Sequence, residues 1–244
     1  MAGLVALVVA AWLYLVYLAR GMAEMQAHAA MGMVMPQMRP WSGVELLFLF
    51  VMWAVMMVAM MTPSSTPMIL MFNAMNRHRA EHRSPAVRTG LFVLGYLVVW
   101  MTYSAAAATI QWLFHGLALV STLMVSTSPY LGGGLLVIAG VFQWTPLKRA
   151  CLAECRSPMG FVMTEWREGP RGALVMGLRY GVYCVGCCWI LMALLFVAGV
   201  MNLVWVAAIA TFVLVEKLSP AGERVGQVAG VILVLAGVAL MMRG

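Results

Sequence analysis

The chain has 244 residues, of which 64% are hydrophobic and 9% charged, and its mean hydropathy of +0.95 excludes an ordinary soluble domain. Its net charge of +7 would suit a nucleic-acid binder, but the basic residues gather in particular loops, which points to membrane topology and to no nucleic-acid partner. All eight acids are Glu, so an Asp-based catalytic triad and an Asp-centred magnesium site are excluded.

Apolar runs of spanning length predict an all-α transmembrane bundle, a single integral membrane domain over 1–244. Seven spans are expected, at about 2–19, 44–61, 90–113, 130–147, 180–199, 202–217 and 225–242. The first run, Met1 to Ala19, has neither a charged leader nor a small-x-small cleavage site before Arg20, so it reads as a retained helix. The connection 20–43 is rich in Met and His: Met22, Met25, His28, Met31, Met33, Met35 and Met38. Gly32 and Pro36 argue against one continuous helix there, and such a loop could wrap a metal. Thioethers carry no charge and do not compete with protons, so this segment suits capture of copper(I).

Span two carries Met52, Met56 and Met60 at i, i+4 and i+8, with Met57 and Met61 as a neighbouring row. Each row lies on one helix face, where methionine either passes a soft ion along or fills a core. Thr62-Pro63-Ser64-Ser65-Thr66-Pro67 is expected to break the helix, opening a cytoplasmic connection over 62–89. Met68, Met71 and Met75 continue the soft-donor series beyond it, followed by His78 and His82.

The second long connection, 148–179, holds Cys151 and Cys155, which are i, i+4 if helical. Span five is expected to start at Arg179 and Tyr180 as interfacial anchors, with Cys184, Cys187 and Cys188 in its first turns near the cytoplasmic surface. C-x-x-C-C on a helix brings all three thiols to one face, a soft tridentate patch. A single cysteine would read as a small buried hydrophobe, but five in two sets point to metal or redox chemistry. Spans five and six form a tight hairpin across Gly199 to Met201. Span six, of about 16 residues, sits near the lower limit for crossing, so six spans is the alternative count. Glu45 and His115 lie near external ends and Gln143 near a cytoplasmic end, while Glu216 is expected to pair with its neighbour Lys217.

Loop charge sets the orientation. Eleven Lys and Arg fall in the second, fourth and sixth connections, against Arg20, Arg39 and Arg243 on the other side. The N-terminus is therefore expected in the cytoplasm, with the Met/His segment outside and the thiols on or near the reducing side, where disulfides are disfavoured.

The segments M-W-A-V-M-M-V-A-M-M-T-P-S-S-T-P-M (52–68), Q-W-T-P-L-K-R-A-C-L-A-E-C-R-S-P (143–158), G-V-Y-C-V-G-C-C-W-I-L-M (181–192), M-N-L-V-W (201–205) and E-K-L-S-P (216–220) resemble a bacterial family of uncharacterised, predicted metal-binding integral membrane proteins. The resemblance runs from about Gly43 to the C-terminus and implies a multi-pass protein of a bacterial inner membrane. It carries the family's ligands over to Cys151, Cys155, Cys184, Cys187, Cys188 and methionines of span two.

Together these features predict a copper(I)-handling membrane protein and not an enzyme. It would bind or transfer the metal, with a copper chaperone or a membrane cuproenzyme as partner. Zinc is the lesser candidate, because the methionines favour copper. Two other readings remain open: a transmembrane thiol–disulfide protein built on the Cys184/Cys187 C-x-x-C pair, and a structural subunit of a larger membrane complex.

Overall fold

The computed structural model describes residues 2–30, 43–79, 85–116, 129–200 and 202–243. Among them the fold is all-α, as expected. The long helices are α1 (Ala2–Ala30), α2 (Gly43–Arg79), α3 (Pro85–Gly116), α7 (Gly169–Ala193) and α10 (Gly222–Arg243). Shorter ones are α4 (Pro129–Phe142), α5 (Pro146–Arg156), α6 (Pro158–Glu165), α8 (Leu195–Ala198) and α9 (Leu203–Leu218).

Among the described residues five segments are long and apolar enough to cross a membrane: Gly3–Gly21, Gly43–Arg77, Ala86–Leu113, Gly169–Ala198 and Gly222–Arg243. The pair α4 and α5, bent by 64° at its break, makes a sixth if it counts as one broken span. The count is thus five or six, in line with the smaller of the two expected numbers. α9 has 16 residues. It rises only about 24 Å, short of a hydrocarbon core of about 30 Å.

The long helices turn apolar side chains outward as well as inward. Leu13, Phe48, Val98 and Leu235 are exposed, which suits lipid and not water. α7 is the central element, with 56% of its spanning segment buried, against 11% for α1 and 17% for α10. Close backbone packing holds the bundle. α3 and α7 touch where a Cβ on Gly177 would collide with the Phe92 carbonyl and one on Gly95 with the Leu174 carbonyl. α4 and α10 meet in the same way, a Cβ on Gly140 lying 2.6 Å from the Gly230 oxygen. Small residues are how helices approach closely in lipid, where no hydrophobic effect drives them together.

The expected break at 62–67 is absent, and α2 runs unbroken through Pro63 and Pro67. Each proline removes a backbone donor, leaving the carbonyl four residues back, of Ala59 or Pro63, without its helical partner, and hydroxyls bond the carbonyls between those two. Ser64 Oγ donates to the Met61 oxygen at 2.9 Å, and Ser65 Oγ and Thr66 Oγ1 donate to the Thr62 oxygen at 2.9 and 3.0 Å. Tyr96 of α3 adds a donor to the Met61 oxygen at 3.0 Å. Much of the connection expected over 62–89 is therefore helix.

Candidate metal centre

Cys184, Cys187 and Cys188 are fully buried on one face of α7. They do not lie in its first turns. The helix starts at Gly169, 15 residues before Cys184, which puts the thiols about 22 Å along it. The segment 169–178, expected as part of the connection over 148–179, is helical. In the structure Pro170 sits in the first turn, where its missing N–H costs nothing. Arg179, expected as an interfacial anchor, instead pairs with Glu165 of α6.

A second helix delivers more thiols. Thr145 caps α5, its hydroxyl accepting from the Lys148 N–H at 3.3 Å, and Pro146 opens the helix. α5 lies against α7 and carries the buried Cys155 beside Cys184 and Cys187. Cys151 packs on Gly186, where a Cβ would lie 2.7 Å from its sulfur. From α2, the Met61 sulfur lies 3.9 Å from the Cys188 sulfur. Four thiols and a thioether thus meet between three helices, with Cys151 at their edge.

Polar groups close the cluster. Tyr96 places its hydroxyl 3.4 Å from the Cys184 sulfur, and its ring lies 5.8 Å from that of Tyr180. Lys217, buried at the end of α9, donates to the Cys184 sulfur at 2.9 Å and to Ser64 Oγ at 3.2 Å. Glu216 was expected to pair with Lys217, but neighbours on a helix point about 100° apart and cannot share a partner face. Glu216 binds Lys148 of α5 instead, through both carboxylate oxygens at 2.7 and 2.9 Å. Lys148 also donates to Gln143. Arg156 ties the far end of α5 to the Ser219 and Pro220 carbonyls, both at 2.8 Å.

Of the residues singled out in the sequence, Cys155, Cys184, Cys187 and Cys188 come together. Met52, Met56 and Met60 are buried along α2, and Met68 is buried two turns beyond Met61. Met61, read in the sequence only as part of a neighbouring row, makes the sulfur contact. The side chains of Met22, Met25, His28, His78, His82 and His115, and all of Met31, Met33, Met35 and Met38, lie outside the described residues. Lys217, Tyr96 and Ser64 were not anticipated as site residues. An intramembrane lysine close to a cysteine motif is the signal that could have found the first.

Among the described residues no three His, Cys, Asp or Glu are set out as a ready-made metal cage. Cys187 and Cys188 donate to the Cys184 carbonyl at 3.1 and 2.9 Å. The donors brought together are all sulfur, the ligand type that suits soft metal ions.

Helices of membrane-spanning length around a buried thiol and thioether cluster define an integral membrane protein with a soft-donor core. Residues 50–240 match the PpoB2 family, described as copper chaperones, and the chain belongs to that family. Its role is accordingly copper-related. No curated protein and no solved structure matches the chain.

Proposed function

We propose that the protein carries copper(I) as cargo, held between the thiols of Cys184, Cys187, Cys188 and Cys155 and the thioether of Met61. The observation that supports this reading is the convergence of α5 and α2 on the α7 cysteines, which simple helix packing does not require. Cys151 would serve as an entry or exit donor beside them.

Delivery has a path in the same terms. In the sequence α2 follows the Met/His segment Met22–Met38, and Met52, Met56 and Met60 descend from the start of that helix. They lie about 14, 20 and 26 Å along the helix from Gly43, and Met61 at about 27 Å meets Cys188. Weakly binding thioethers in series allow an ion to move on, whereas thiolates retain it. Met68 extends the series past the cluster. With the N-terminus in the cytoplasm, the route runs inward from the external loop of a bacterial inner membrane, or outward toward a membrane cuproenzyme.

The test is anaerobic metal analysis of protein purified after copper(I) loading. About one copper per chain is expected, falling to background in Cys184→Ser/Cys187→Ser/Cys188→Ser. Equal copper in the triple variant would overturn the proposal.

A further inference from the structure

Lys217 has no role in the donor set, yet its ammonium is buried and aimed at it. Its hydrogen-bond partners are Cys184 Sγ and Ser64 Oγ. The neighbouring carboxylate makes no hydrogen bond to it, because Glu216 holds Lys148 through both of its oxygens. The thiol cluster therefore sits beside a fixed positive charge in a region with little water.

We infer that Lys217 is the specificity-determining residue of the site, selecting soft monovalent over soft divalent cations by charge. This rests on the copper(I) reading above and sharpens it. A monovalent ion held by two thiolates forms a complex of charge −1, which the ammonium neutralises. A divalent ion on the same two thiolates is already neutral, and Lys217 then leaves a net +1 buried in a low dielectric. A divalent ion regains balance only with a third thiolate, which has to come from Cys187 or Cys188. Cys187 and Cys188 would each have to give up a bond to the Cys184 carbonyl first. The position of Lys217 in the last turn of α9 favours the charge, since helix carbonyls there point toward it.

The experiment measures silver(I), a redox-inert stand-in for copper(I), and cadmium(II) on the full-length apoprotein in detergent, each in competition with a chelator. The quantity read is the ratio of the two affinities, which a general loss of packing would not move in a charge-dependent way. Lys217→Met is expected to lower the silver-to-cadmium ratio by about 10-fold or more, and Lys217→Arg to restore most of it. If Lys217→Met fails to elute as a folded monodisperse species, Lys217→Gln, which keeps a donor for Ser64, is held to the same criterion. A ratio unchanged in the neutral variant, or a fall not reversed by arginine, overturns the inference. Silver binding that survives Cys184→Ser/Cys187→Ser/Cys188→Ser refutes instead the assignment of the thiols as the copper site. Loss of silver in that variant with an unchanged ratio in Lys217→Met refutes the selectivity role alone.

Discussion

Replacing Lys148 with methionine should cost far more than the removal of one surface charge. Lys148 and Glu216 are each about 2% exposed or less, and the ammonium holds both carboxylate oxygens at 2.7 and 2.9 Å. Gly226 of α10 lies so close to the carboxylate that a Cβ there would collide with it, so α10 closes over the pair on that side. Breaking one partner of a buried pair costs about 3–5 kcal/mol, because the remaining charge stays buried and uncompensated. Removing both charges together, in Lys148→Met/Glu216→Leu, should return stability to within about 1–2 kcal/mol of the native protein. The residual cost is that of the Gln143 carbonyl, which loses the Lys148 donor and about 1 kcal/mol with it. The assay is a double-mutant cycle on denaturant unfolding in detergent micelles, with a coupling energy of at least about 2 kcal/mol expected. Additive single effects, or a Lys148→Met penalty below about 1 kcal/mol, would refute the description of this pair as a buried, mutually dependent link between α5 and α9.

Two further outcomes follow from packing. Gly177→Ala should destabilise the bundle by about 1–3 kcal/mol, because its methyl group meets the Phe92 backbone, while Gly90→Ala has open space around it and should be neutral in the same unfolding measurement. Met61→Leu conserves volume and should cost under about 1.5 kcal/mol of stability. Measured by copper(I) competition with a chelator, Met61→Leu should nonetheless weaken binding by about 10-fold, and Met56→Leu, a turn above the thiols, should leave the equilibrium affinity unchanged.

The sequence made the helical class legible because spanning-length apolar runs have few other readings. The C-x-x-C-C face was equally legible, since i, i+3 and i+4 fix neighbours on any helix. The buried row Met52, Met56 and Met60 followed from the same period. Two boundaries were misplaced where local signals pointed to loop. Pro63 and Pro67 argue for a break, yet α2 continues through them inside the bundle, where Tyr96 of α3 donates to the Met61 carbonyl. The connection expected over 148–179 includes Arg171, yet Arg171 lies in the first turn of α7. What no local pattern encodes is the partner of a charge. Glu216 chose Lys148, 68 positions away, and Lys217 chose Cys184, 33 away. The approach of Cys155 to the α7 thiols was likewise beyond reach, because it depends on how α5 docks.

That docking depends on a missing side chain. Cys151 occupies the space that any Cβ at position 186 would claim, so the motif on α7 is better written C-x-G-C-C than C-x-x-C-C. The glycine works as a keyway cut into the helix, and the α5 cysteines are the key. In sequences of this kind the two should be inherited as a set. A chain with a bulky residue between its first and second α7 cysteines would have no use for thiols at the positions of Cys151 and Cys155. One that keeps those thiols should keep the notch.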